Sequence, residues 1–265
     1  NAVGEQYEPY RALLRPLVKR CADTRDGIYD FFNGRPYDSS EWIGSNDELL
    51  EPLLMCYRSL CESGLEVTAN GMLLDTIRRV KCFGVHLLRL DVRQDSQRHA
   101  DVLSEVTRYL GLGDYAHWSE TDKQAFLLRE LSSKRPLFPR CWEPSDDVKE
   151  VLDTCKVIAS HSKSGFGIYT ISMASEASDV MAVQLLLQEM GVDWPMPVAP
   201  LFETLDDLNN SPIVMRKLLS IDWYRGYIQG KQFVMIGYSD SPKDAGAIAA
   251  GWAQYESQEA LVALA

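Results

Sequence analysis

The sequence predicts an α/β fold that is helical over most of its length, and three observations carry that reading. Stretches with apolar residues at helical spacing alternate with short strand-like runs. The strand-like runs are separated by helices, which implies parallel βα units rather than hairpins. Three of these runs end on an ionisable residue: Val85–Arg93 on Arg93, Met196–Glu203 on Glu203, and Gln232–Asp240 on Asp240. An apolar strand that ends in polar groups is how α/β proteins present chemistry at the carboxyl edge of a sheet.

Tyr10, Leu13, Leu14, Leu17 and Val18 fall at helical spacing and predict a helix over residues 5–33. A loop rich in Gly, Pro, Ser and Asp covers 34–46. Asn46 is the expected cap of a second helix reaching about Glu62, closed by Gly64. A third helix runs from Met72 to Phe83 and ends at Gly84. Residues 1–84 therefore read as a helical region, and residues 85–265 as the βα portion. In Val85–Arg93 the positions His86, Leu88, Leu90 and Val92 alternate with Arg89, Asp91 and Arg93. Such a strand should be apolar on both faces, so its charged face is expected to line a polar cavity, with a solvent-facing edge as the competing reading.

Further helices are expected at about Ser96–Leu110 and Ser119–Leu131, where Ser119 and Asp122 resemble a capping box. After a Pro-rich basic connection, Ser145 is the expected cap of a helix with the stripe Val148, Val151, Leu152, Cys155 and Ile158. Gly165–Ala174 reads as a strand. Ser178 should cap the helix Asp179–Met190, stopped by Gly191. After Glu203 a helix is expected to restart at Ser211-Pro212 and run to about Leu219. The strand Gln232–Ile236, a polar turn and a terminal helix complete the set. Four strands are too few to close an eight-stranded TIM-like barrel and would build about half of one.

The chain has 265 residues, 46% hydrophobic and 25% charged, enough for one large domain or two small ones. A formal net charge of −11 argues against nucleic acid or an anionic membrane as the main partner. It leaves room for a small anionic substrate, because a few local cations outweigh a distant acidic surface at short range. No apolar run approaches the roughly 20 residues needed to span a bilayer. Cys21, Cys56, Cys61, Cys82, Cys141 and Cys155 form no CxxC pair and read as buried, reduced thiols of a cytoplasmic protein. The chain opens on Asn1 without a methionine and stops inside the helix-like run Gln254–Ala265, so an excised piece of a longer protein is expected.

The run from Phe233 to Gly246 is the most informative. It begins as a buried strand, breaks at Gly237, and then sets out Tyr238, Ser239, Asp240, Ser241, Lys243 and Asp244. Glu203 and Asp240 lie about one strand–helix–strand step apart and could share one carboxyl rim. Two rim carboxylates suit Mg²⁺ or Mn²⁺, hard cations that leave positions for water and substrate. Alternatively, either acid caps the helix that follows it, although Thr204 competes for that role after Glu203. Lys243 reads either as a solvated lysine paired with Asp240 or Asp244, or as a mobile charge for a phosphate or bicarbonate. Arg93 reads either as an anion clamp or as an ion-pair partner of Asp91 or Asp95. His86, His99, His117 and His161 show no metal-ligand spacing, and His86 is expected on the packing face of its strand.

Four segments in order resemble bacterial phosphoenolpyruvate carboxylases: Asn70–Gly84 (NGMLLDTIRRVKCFG), Leu90–Gln94 (LDVRQ), Pro197–Leu208 (PVAPLFETLDDL) and the turn after Phe233. The resemblance covers nearly the whole chain. It implies a partial β/α barrel of the phosphoenolpyruvate/pyruvate-domain type with extra helices. It also implies carboxylation of phosphoenolpyruvate by bicarbonate to oxaloacetate and phosphate, feeding the tricarboxylic acid cycle, by a homotetrameric parent enzyme. By resemblance, Glu203 and Asp240 hold the metal, Arg93 binds the substrate phosphate, and Lys243 is an active-site residue. The family's conserved histidine segment would lie upstream, and its Gly-rich phosphate loop downstream, so the isolated chain is expected to be inactive. Two other readings stand beside this one: another metal-dependent lyase or mutase acting on phosphoenolpyruvate, and a non-enzymatic helical interaction module.

Overall fold

The computed structural model describes residues 8–265, which divide into two compact units meeting at Arg89 and Leu90. The first unit contains helices α1 (Pro9–Phe32), α2 (Asn46–Glu62) and α3 (Leu74–Phe83). Residues 5–7 of the expected first helix lie outside the described residues. The cap of α2 is Ser45 rather than Asn46: the Ser45 N–H and hydroxyl both donate to Glu48 Oε1, at 3.1 and 3.2 Å. Asn46 instead accepts the Val85 N–H at 2.9 Å. Regular α3 starts two residues later than Met72, because Gly71 takes a non-helical conformation (φ −85°, ψ −134°) within a π-helical turn at Ala69–Leu73. Gly84 ends it at φ +56°, in the region that favours glycine. Leu53, Cys56, Ala69 and Ile77 are this unit's buried apolar residues on these helices and the π-turn.

The second unit runs β1 (Leu90–Asp95), α4 (Ser96–Tyr109), α5 (Glu120–Leu131), α6 (Asp146–Ser160), β2 (Phe166–Ser172), α7 (Ala177–Glu189) and β3 (Val198–Phe202). It continues with α8 (Leu205–Ser220), α9 (Asp222–Ile228), β4 (Met235–Ile236), α10 (Ser241–Ala245) and α11 (Ala247–Leu264). The four strands are all parallel and lie in chain order, β1-β2-β3-β4. Parallel neighbours need helical crossovers, which α4–α6, α7 and α8–α9 supply. The sheet is open and closes no barrel. Among the described residues no helix is long and apolar enough to cross a membrane.

Several local expectations are corrected. β1 begins five residues later than expected and ends on Asp95: residues 85–88 form turns and bends, Leu87 has φ +61°, and His86 is exposed rather than packed. β4 keeps only Met235–Ile236 of the expected strand. α8 does not restart at Ser211-Pro212 but runs through it. Pro212 cannot donate to the Leu208 carbonyl, and the Ser211 hydroxyl takes that acceptor instead at 2.8 Å. Ser178 lies inside α7, where its N–H and hydroxyl donate to Glu120 at 3.0 and 2.6 Å. Ser145 holds the expected N-cap position of α6 but makes no side-chain cap bond; its N–H and hydroxyl donate to Glu105. The thiols are not all buried: Cys56 and Cys155 are, whereas Cys21, Cys82 and Cys141 are exposed.

The core lies around α7, which packs on α4, α5, α6 and β3. Val180, Met181, Val183, Leu185, Leu186 and Leu187 are all at most 1% exposed, and the α6 stripe from Val148 to Ile158 is buried against them. His99 is buried in this layer with Nε2 2.8 Å from the Tyr169 hydroxyl, and burial pushes its pKa down to about 3. It is therefore a neutral packing residue. Leu186→Ala should lower unfolding free energy by about 2–5 kcal/mol in urea titration, the usual range for a buried leucine truncation. A loss below about 1 kcal/mol would show that this helix is not the centre of the core.

Candidate active site

The site is assembled by strand pairing. β3 and β4 pair in register at Leu201 with Met235 and Phe202 with Ile236. The ladder continues one step further, with the Gly237 N–H donating to the Phe202 carbonyl at 2.9 Å. Glu203 and Gly237 are thereby pressed together as the chains leave the sheet. A Cβ on Gly237 would stand 2.6 Å from Glu203 Cβ and 3.0 Å from its Cα, so this approach requires glycine. From Gly237 the chain turns back on itself: the Ser241 N–H and hydroxyl both donate to the Gly237 carbonyl, at 3.2 and 2.8 Å. That turn carries Asp240 and leads into α10, which carries Lys243.

Asp240 is gripped within its own turn. Lys243 Nζ donates to Oδ1 at 3.0 Å and the Ser239 hydroxyl to Oδ2 at 3.0 Å. The Lys243 hydrogen bond, then that of Ser239, then the Lys243 charge hold the Asp240 carboxyl below its ordinary range. Glu203 is the opposite case. It is half-buried, and its carboxylate accepts no hydrogen bond among the described residues. Burial first, then the charges of Asp240, Asp207 and Asp95, push its pKa up. A surplus of negative charge thus surrounds one uncompensated carboxylate.

Neither acid serves as a side-chain cap. Thr204 caps α8, its hydroxyl accepting the Asp207 N–H at 3.1 Å, and Asp240 precedes α10 without a side-chain cap bond. Lys243 does pair with Asp240, as one of its two readings required.

Arg93 stands on β1, in register with Thr170 on β2, which in turn pairs with Ala199 on β3. Two strand spacings of about 4.8 Å separate it from the strand that delivers Glu203. Alternation places Arg93, Thr170, Ala199 and Glu203 on one face of the sheet. The Arg93 side chain is exposed and makes no ion pair among the described residues. Its suggested partners are otherwise engaged: Asp91 accepts the Ile168 N–H at 3.1 Å, and Asp95 caps α4 through the Gln97 N–H at 2.8 Å. The structure thus brings Glu203, Asp240 and Lys243 together and leaves Arg93 two strands away on the same face. Asp95 is a further acid on that face whose charge reaches Glu203. It was overlooked because the expected strand stopped at Arg93; two more residues of alternation would have placed it there.

The chain matches the phosphoenolpyruvate carboxylase family over residues 2–265. It belongs to that family. It is 59% identical to the phosphoenolpyruvate carboxylase of Aeromonas hydrophila over 263 residues, covering 99% of this chain and 30% of the relative. It is 60% identical to that of Vibrio vulnificus over 261 residues, covering 98% of the chain and 30% of the relative. The enzyme of Psychromonas ingrahamii is 59% identical over 265 residues, with the same 30% share. The chain therefore spans about 30% of the length of these phosphoenolpyruvate carboxylases. Three of the four sequence segments that resemble this family fall on the sheet: Leu90–Gln94 in β1, Pro197–Leu208 across β3 into α8, and the Phe233 run across β4 into α10. The fourth, Asn70–Gly84, covers the π-helical turn and α3 of the first unit.

Among the described residues no group of three or more His, Cys, Asp or Glu side chains is arranged to enclose a metal. A pair of carboxylates is what Glu203 and Asp240 would offer a cation. The donor set still fits Mg²⁺ or Mn²⁺: its atoms are hard oxygens, and the unpartnered Glu203 carboxylate gains a counter-charge it otherwise lacks.

Proposed function

We propose that this chain supplies the metal-holding and part of the phosphate-binding portion of a phosphoenolpyruvate carboxylase. The whole protein then converts phosphoenolpyruvate and bicarbonate to oxaloacetate and phosphate, as a cytoplasmic homotetramer. The observation that carries the reading is the juxtaposition of Glu203, Asp240 and Lys243 where β3 and β4 leave the sheet. Family membership favours it over another lyase or a mutase acting on phosphoenolpyruvate and over an interaction module. The consecutive parallel order of β1 to β4 supports the further reading of residues 85–265 as about half of a TIM-like barrel, after a helical region that ends at residue 84.

Glu203 and Asp240 would hold Mg²⁺ or Mn²⁺, which supplies charge stabilisation for phosphoryl oxygens and for a developing enolate. Lys243 offers a single positive charge on a flexible stem, and Arg93 a planar fork suited to phosphate oxygens. Together they neutralise the phosphoryl group as it leaves the enol oxygen and bonds to a bicarbonate oxygen, giving carboxyphosphate and the enolate of pyruvate. Carboxyphosphate then breaks into carbon dioxide and phosphate, and the enolate carbon bonds to the carbon dioxide. Released from Asp240, Lys243 can follow the phosphate, because only a surface-type ion pair holds it.

Steady-state assays test the reading. The full-length protein should consume phosphoenolpyruvate only when bicarbonate is present, releasing phosphate and oxaloacetate together. Consumption without bicarbonate would favour the lyase or mutase reading. The isolated 265-residue chain should turn over at least about 1,000-fold more slowly, since positioning terms of that size require groups that this share of the enzyme does not supply. Full activity in the isolated chain would refute that division of labour.

A further inference from the structure

We propose that Gln254, on α11, is a positioning residue for Asp240, acting through the Ser241 hydroxyl; the inference rests on reading Asp240 as a metal ligand. Ser241 is completely buried and Gln254 is 7% exposed. Gln254 Nε2 donates to Ser241 Oγ at 2.6 Å, and Ser241 Oγ donates onward to the Gly237 carbonyl at 2.8 Å. The hydroxyl proton is committed to Gly237, so its lone pair must face the glutamine amide. The relay amide to hydroxyl to carbonyl is thereby directional, and its links polarise one another in a dry setting.

Its two ends define what it controls. Gly237 and Ser241 are the first and last residues of the turn that carries Asp240. One helical turn further along α11, Gln258 Nε2 donates to the Tyr238 hydroxyl at 3.0 Å. Two glutamines on one face of α11 therefore hold the turn near both of its ends. The side-chain ties that Asp240 makes itself, to Ser239 and Lys243, lie within the turn and α10 and would move with them. Glu203 is held by β3 and by the first turn of α8 through the Asp207 carboxylate. The α11 relay thus acts alongside the Gly237–Phe202 bond and the Leu205 N–H bond to Asp244 at 2.8 Å in setting one carboxylate against the other.

The test is the Mn²⁺ affinity of the 265-residue chain, read from the electron paramagnetic resonance signal of free Mn²⁺ with the fold checked by circular dichroism. Gln254→Met, which keeps length and loses the donor, should weaken binding by about 10-fold, as loss of an outer contact to a metal ligand does. Ser241→Ala, a smaller change that leaves α11 packing alone, should do the same and covers the case in which Gln254→Met fails to fold. The double variant should be no weaker than the worse single one, because both break one relay. Ser257→Ala removes a different buried bond of α11, to Ser211 at 2.7 Å. It should lower the melting temperature and leave Mn²⁺ affinity within about twofold. Unchanged affinity in both Gln254→Met and Ser241→Ala, while Asp240→Ala abolishes binding, overturns this inference alone. Equal weakening in Ser257→Ala also overturns it, since that marks general loosening. Unchanged binding in Asp240→Ala removes the metal reading itself.

Discussion

Glu203→Ala and Asp240→Ala are each expected to weaken Mn²⁺ binding by more than about 100-fold, beyond what losing an outer contact costs. Removal of either takes away half of the carboxylate pair proposed to hold the metal. The two losses should differ in their side effects. Asp240 is held below its ordinary range by Lys243, so its ionised form is favoured by folding. That contribution is present at neutral pH and lost as pH falls through the lowered value. Glu203 has a raised pKa, so its ionised form is disfavoured by folding; the penalty is present at neutral pH and relieved as pH falls through the raised value. Glu203→Ala should therefore leave the apo chain equally or more stable at neutral pH while removing the metal. The same raised pKa means that protons compete with Mn²⁺ at pH values above the ordinary glutamate range. In the wild type, affinity should fall with acidification earlier than a normal glutamate predicts, and isothermal titration across pH measures this. Wild-type affinity in both alanine variants would remove Glu203 and Asp240 from the metal.

Gly237→Ala should damage the site without touching a charged residue. The new methyl would come 2.6 Å from Glu203 Cβ and 3.0 Å from its Cα, and backbone cannot yield as a flexible side-chain tip could. The strand ends must separate, which stretches the Gly237 N–H bond to Phe202 and moves Glu203 from Asp240. Overpacking of this kind costs about 1–3 kcal/mol. We expect that loss in urea denaturation together with at least about 10-fold weaker Mn²⁺ binding, the scale set by outer-contact losses. Gly251→Ala is the contrasting case: it is helical and exposed, with nothing within 4 Å of an added Cβ. It should be neutral or stabilise by up to about 1 kcal/mol. Equal stability and metal affinity in both variants would show that the close approach at Gly237 carries no weight.

What could be read from the chain was what period and residue type dictate. The α6 stripe is buried as its 3.6-residue spacing required, and the parallel order of strands followed from the helices between them. Thr204 was recognisable as the competitor that frees Glu203 from capping. The failures came where tertiary partners outbid local signals. Ser145 and Ser178 are residue types that suit a cap, but Glu105 and Glu120 reach in from other helices and orient the two serines as donors to their carboxylates. Pro212 signalled a helix start, and a single serine hydroxyl one residue away made the interruption unnecessary. The start of β1 was misjudged because an apolar–polar alternation through His86 and Leu88 mimics a strand, whereas Leu87 at φ +61° makes it a turn. Within the candidate site the residue types were legible. The roles of Gly237 and Gln254 were not, because each depends on a contact distant in sequence.

The most direct test is to locate the cation. Substoichiometric Mn²⁺ added to isotopically labelled chain broadens amide resonances in proportion to proximity. The account predicts that broadening centres on Glu203 and Thr204 together with Tyr238 through Asp244. Broadening spread evenly over the acidic surface, or centred on any segment that excludes both strand ends, would contradict it.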